Sequence, residues 1–150
     1  MSPRSKLTND VHQIAGLDFG CTIDGTCKTA NIVDPGQIGI DQIQHFIRDD
    51  GLNTFRIPVG WQFLLNNNLG GTLDSNNWAT YDKLIQGCLN AGAALCIVDI
   101  HNYARWNGGI VGQGGPTNAQ FTSLWSQIAA KYKGNNKIAF GLMNEPVSKG

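Results

Sequence analysis

Charge is scarce in this sequence, and what there is cancels. Eleven Lys+Arg stand against eleven Asp+Glu, charged residues make up 15% of the chain, and neither a basic stripe nor an acidic tail breaks the balance. That pattern excludes the electrostatic footprint of a nucleic-acid binder and of a protein held on an anionic membrane surface. Long apolar runs are missing too: nothing approaches the roughly eighteen apolar residues of a membrane helix. The opening Met1-Ser2-Pro3-Arg4-Ser5-Lys6 has no apolar core of the signal-peptide type. No glycine-rich phosphate loop opens a helical segment, so no nucleotide cofactor is expected. The four cysteines lack C-x-x-C spacing and neighbouring histidines, so no zinc or other metal is expected either.

What remains is a chain of 150 residues, 41% hydrophobic, enough to bury one core. Its cysteines fall in two close pairs, Cys21 with Cys27 and Cys88 with Cys96. That spacing suits two local disulfides in an oxidising compartment, the alternative being four reduced thiols. Hydrophobic periodicity predicts a helix over Gly39–Asp50, stopped at Gly51. It predicts another from Asp74 or Ser75 to about Gly92 and a third from the cap Thr117 to Gly134. Short β-branched runs predict strands over Asn53–Val59, Ala94–Ile100 and Lys137–Met143, with a less regular one over Val11–Phe19.

The order is β-α-β-α-β-α-β. Runs such as Leu95-Cys96-Ile97-Val98 read as apolar on both faces, as in a parallel α/β sheet sandwiched by helices. Two architectures fit: a small doubly wound sheet, or the first half, four strands and three helices, of a (β/α)8 barrel of the TIM type, which needs about 250 residues when whole.

Polar residues collect where the strands end: Arg56, Asp99 and His101, then Asn144 and Glu145. In a barrel those ends share the catalytic face. Glu145, directly after an apolar strand, is expected to be partly desolvated, as suits a general acid; a plain Asn-Glu-Pro turn is the alternative. Arg56 inside an apolar run needs a carboxylate partner, for a structural ion pair or for a functional one. His101 could hold a substrate hydroxyl, orient a carboxylate or serve structure alone. Trp61 and Trp106 lie beyond strand ends, where exposed indoles can stack on sugar rings or simply pack. Trp78 and Trp125 have core spacing, and His12 and His45 have no suggestive context.

The segments Phe55-Arg56-Ile57-Pro58-Val59, Asp99-Ile100-His101-Asn102-Tyr103 and Asn144-Glu145-Pro146, in this order, resemble glycoside hydrolase family 5, in particular its fungal endoglucanases. The resemblance extends through Gly60-Trp61-Gln62, Asn66-Asn67-Asn68-Leu69-Gly70-Gly71, Ala104-Arg105-Trp106-Asn107-Gly108-Gly109 and Gly112-Gln113-Gly114-Gly115-Pro116-Thr117-Asn118, and covers residues 14–146. It implies retaining hydrolysis of internal β-1,4-glucosidic bonds in cellulose or a related β-glucan, without cofactor. It also implies a secreted enzyme that is monomeric at full length.

By the resemblance, Glu145 is the acid/base, Asn144 holds the sugar 2-hydroxyl, and Arg56 and His101 lie beside the nucleophile. Asn102, Tyr103, Trp61 and Trp106 are carried over as substrate contacts. The nucleophile implied is a second Glu on a later strand; no other glutamate occurs here, Asp18 and Asp24 lie in the early loop, and Asp99 belongs to the third-strand motif, so none replaces it. A fragment that binds β-glucan without cleaving it, and an unrelated small α/β protein, are the competing readings.

Residues 1–13 and 147–150 fall outside the resemblance. Val147-Ser148-Lys149 can be encoded by a splice-donor sequence and Gln13 by the last triplet of an intron. The expectation is that both margins are non-native sequence and that the segment up to His12 packs poorly.

Overall fold

The computed structural model describes residues 10–146. Expectations for residues 1–9 and 147–150 lie outside the described residues. Four strands, β1 (His12–Gln13), β2 (Thr54–Val59), β3 (Leu95–Ile100) and β6 (Ile138–Gly141), form one parallel sheet in the order β1-β2-β3-β6. Phe55 pairs with Cys96, Arg56 with Ile97 and Pro58 with Asp99, while Asp99 also lies opposite Gly141 on β6. The helices between them are α1 (Gly36–Asp49), the short α2 (Trp61–Leu64), α3 (Ser75–Asn90) and α4 (Asn118–Lys131). A hairpin, β4 (Arg105–Trp106) with β5 (Gly109–Ile110), stands between β3 and α4.

The helix ends follow from local chemistry. Asp74 caps α3, its carboxylate accepting from the N–H groups of Asn76 and Asn77, both at 3.0 Å. Thr117 caps α4 in a reciprocal box with Gln120: Gln120 N–H donates to Thr117 Oγ1, and Thr117 N–H donates to Gln120 Oε1. Helix α1 starts three residues earlier than periodicity predicts, because the Asp34 carboxylate accepts from Gly36 N–H and sets the first turn before the apolar stripe begins.

One face of the sheet is buried. Phe55, Ile57 and Val59 on β2 and Cys96, Val98 and Ile100 on β3 are alternate residues, and they share a core with Ile40 and Ile43 of α1, Tyr81, Leu84 and Ile85 of α3, and Leu124 and Ile128 of α4. The opposite face carries Arg56, Pro58, Ile97 and Asp99. The expected sandwich of helices on both faces is therefore corrected. Helices on one face only are what a barrel requires and a doubly wound sheet forbids, so the sheet is the first half of a β/α barrel.

Both disulfides are formed, Cys21–Cys27 and Cys88–Cys96. The strand expected over Val11–Phe19 shrinks to His12–Gln13, because the chain turns at once: Gly16 has φ +144, and its N–H donates to the side chain of Asp18 at 2.8 Å. His12 and Gln13 pair with Phe55 and Arg56, and the His12 ring packs 5.4 Å from that of Phe46, so this part of the leading segment is packed, contrary to expectation.

Candidate active site

The side chains of Arg56, midway along β2, Asp99, next to the end of β3, and Asn144, just beyond β6, meet across three neighbouring strands. Arg56 Nη2 donates to Asp99 Oδ2 at 2.8 Å and to Asn144 Oδ1, and its Nη1 reaches Gln13 Oε1 at 3.0 Å. Asp99 is almost fully buried, and its space on the next strand comes from Gly141, where a Cβ would lie 3.0 Å from Asp99 Oδ1. His101 follows on β3: its Nδ1 lies 3.4 Å from Asp99 Oδ2, and its Nε2 lies 3.4 Å from Asn144 Nδ2 and 3.3 Å from the Tyr103 hydroxyl. Asp18, which sequence reasoning left without a role, enters from the loop after β1, with Oδ2 at 4.0 Å from His101 Nε2.

Tyr103 sits at φ +54 and Ala104 at φ +59, an abrupt turn that folds the phenol back over His101, the two rings being edge to face at 5.4 Å. Partial burial, then the nearby carboxylates of Glu145 and Asp18, push the Tyr103 phenol above its ordinary range, so it is a hydrogen-bond donor throughout neutral pH.

Three expectations change. Trp61 is wholly buried, packed between Trp106 at 5.4 Å and Phe121 at 5.7 Å, and so has no face to offer a sugar. Its position at the start of α2, a short helix without a sequence signature, turns the indole into the core. Asn102 is also fully buried and engaged by the fold. Its Oδ1 accepts from Trp61 N–H at 2.7 Å, and its Nδ2 donates to Gln62 Oε1 at 2.6 Å. Glu145, expected to be partly desolvated, is exposed at φ +35, because it follows the edge strand β6 and the described residues cover only one side of it. Glu145 and the half-buried Trp106 and Tyr103 remain open to a ligand. Among the described residues no group of three or more His, Cys, Asp or Glu gathers as a metal site would require.

A one-sided parallel β/α sheet, with a carboxylic acid, an amide and an imidazole at its strand ends and a guanidinium that reaches the amide from midway along β2, has the architecture of a β/α-barrel glycosidase. The profile of the family described as Cellulase (glycosyl hydrolase family 5) matches residues 17–150, and the chain belongs to that family.

Endoglucanase EG-II of Hypocrea jecorina is 63% identical over 142 residues, 89% of this chain and 34% of the relative. Endoglucanase 1 of Saitozyma flava is 48% identical over 135 residues, 89% of this chain and 38% of the relative. The crystal structure of Cel5A (EG2) from Hypocrea jecorina superposes with TM-score 0.89 at 59% identity, covering 93% of this chain and 45% of that one. The chain thus spans about a third of the length of the curated relatives it matches.

Proposed function

We propose that this chain supplies the acid/base half of an endo-β-1,4-glucanase site acting on cellulose or a related β-glucan. The observation that carries the reading is the double tether of Asn144, whose amide is gripped by Arg56 on one side and by His101 on the other. That fixes the residue beside Glu145 in a geometry suited to a sugar 2-hydroxyl, a contact that strengthens in an oxocarbenium-like transition state. Glu145 then protonates the glycosidic oxygen and, in the second step, activates water. Tyr103 and Trp106 border the sugar.

Retention of configuration needs a second carboxylate about 5 to 5.5 Å from the first. Asp99 is committed to Arg56 and His101, and the backbone holds Asp18, so neither is offered to a sugar. Glu145 is the only glutamate in the chain, and the nucleophile comes from the remaining strands of the family's barrel. Two disulfides support secretion into an oxidising space. The same single glutamate favours a second reading, binding of β-glucan without cleavage, for these 150 residues by themselves.

The test joins this chain to the C-terminal remainder of the Hypocrea jecorina EG-II barrel and measures hydrolysis of a soluble cellulose derivative. Glu145→Gln is expected to lower the rate on the order of 100-fold to 10,000-fold, and an unchanged rate removes Glu145 from its role. Hydrolysis by the 150 residues alone would overturn the assignment of the nucleophile to other strands. Cello-oligosaccharide binding by that chain without cleavage would support the second reading for it.

A further inference from the structure

We propose that Asp99 is a positioning residue that sets the tautomer of His101, and through it the aim of the Asn144 amide. The inference rests on the reading that Asn144 faces the sugar. It begins from Arg56, whose guanidinium can only donate. Because Arg56 Nη2 bonds the Asn144 side chain, the amide must turn its oxygen toward Arg56 and its NH2 toward His101 Nε2. An NH2 group cannot accept, so Nε2 must be the acceptor and the neutral ring must carry its hydrogen on Nδ1. Nδ1 faces Asp99 Oδ2, the same oxygen that receives Arg56.

The four side chains thus close a ring in which every donor meets an acceptor: Arg56 to Asn144, Asn144 to His101, His101 to Asp99, and Arg56 to Asp99. The Tyr103 hydroxyl adds a second donor to Nε2 at 3.3 Å. The opposite tautomer would point Nε2–H at the Asn144 NH2 group. The Tyr103 hydroxyl at 3.3 Å could accept that hydrogen, but the Nδ1 lone pair would then face the Asp99 carboxylate at 3.4 Å with no hydrogen between them, and it is this opposition that Asp99 imposes. With one N–H of Asn144 held by His101 and its oxygen by Arg56, the second N–H is left for a ligand. Asp99 therefore acts on the reaction through two intermediaries and touches no substrate.

Long-range nitrogen–proton correlation spectra of the 15N-labelled 150-residue chain, at about pH 8 and above the usual imidazole range, read the tautomer without any need for activity. The expected result is a pyrrole-type Nδ1 and a pyridine-type Nε2 for His101. The reverse assignment, or an even mixture, overturns the proposal. In Asp99→Leu, which takes away the acceptor of Nδ1–H, the form with its hydrogen on Nε2, donating to the Tyr103 hydroxyl, should appear, and a folded variant that keeps the wild-type pattern overturns the proposal as well. Tyr103→Phe should leave the pattern intact; a flip there would transfer the role from Asp99 to Tyr103.

In the joined barrel, Asp99→Leu should lower kcat and kcat/KM together, the signature of a contact made only in the transition state. A change in KM alone would count against it. The correct tautomer in a joined barrel that does not hydrolyse cellulose would refute the proposed function and leave the tautomer assignment standing.

Discussion

Asn102→Ala is a severe test of the site as built, because the sequence casts Asn102 as a substrate contact and the structure makes it a structural post. The side chain is wholly buried. Its Oδ1 takes the N–H of Trp61 at 2.7 Å, and its Nδ2 gives to Gln62 Oε1 at 2.6 Å, with the Arg105 carbonyl at 3.4 Å and Cys27 Sγ at 3.6 Å. Alanine leaves the Trp61 N–H and the Gln62 carbonyl buried without their partner. At about 1 to 3 kcal/mol for each stranded group, the loss is about 4 kcal/mol. With a urea slope of about 2 kcal/mol per molar, the unfolding midpoint should fall by about 2 M.

Asn102→Asp should not rescue, because a second carboxylate oxygen would face Gln62 Oε1. Gln62 cannot turn without giving up its 2.7 Å bond to the Gly25 carbonyl. A loss below about 0.5 kcal/mol in Asn102→Ala, within the range of an ordinary surface change, would refute the reasoning, most clearly if cello-oligosaccharide binding weakened at the same time.

Closing loops of 6 and 8 residues, the two disulfides should contribute about 2.2 and 2.5 kcal/mol by chain entropy. Graded reduction with alkylation and mass spectrometry should open Cys21–Cys27 first, since Cys88 and Cys96 are fully buried. Thr117→Ala should cost about 1 kcal/mol in urea unfolding through loss of the α4 cap, with Thr117→Ser nearly neutral. The Tyr103 phenol, raised by partial burial and then by Glu145 and Asp18, should ionise above 10.0 in tyrosinate absorbance. A raised folded-state value means that its contribution to stability is intact below the ordinary value and is lost as pH rises through the folded one. Glu145→Gln should move that titration part of the way back.

Periodicity and capping made most of the scaffold legible: the apolar stripes read for α1, α3 and α4 are buried in the core or packed against it, and Asp74 and Thr117 are the caps. What escaped was set by chemistry without a period. Asn107 and Gly108, both at positive φ, turn the β4–β5 hairpin, a signal that Asn-Gly carries openly but that a search for longer strands passes over. Trp61 and Asn102 were misjudged for one reason: a position after a strand end says that a side chain is near the catalytic face, not which way a four-residue helix or a buried amide turns it. Arg56 could be read as needing a partner, but that its partner Asp99 is shared with His101 depends on a register no single strand reveals.

The closed ring has an energetic consequence that single substitutions would misrepresent. The Asp99 side chain is 3% exposed and that of Arg56 is 27% exposed, so the two partners are unequal hostages of each other. Arg56→Met leaves a buried carboxylate whose one remaining hydrogen-bond partner among the described residues is His101 Nδ1 at 3.4 Å, and stranding a buried charge costs about 3 to 5 kcal/mol. Asp99→Leu leaves a guanidinium that still reaches Gln13 and Asn144 and can lean into solvent, so it should cost less, about 1 to 3 kcal/mol. The double variant removes the charge and its partner together and should fall short of the sum of the singles by about 1 to 3 kcal/mol. Urea unfolding of the four proteins measures the coupling. If the losses add within about 0.5 kcal/mol, or if Asp99→Leu proves the costlier single change, then the ring is not a mechanical unit and Asn144 must be held in place by something else.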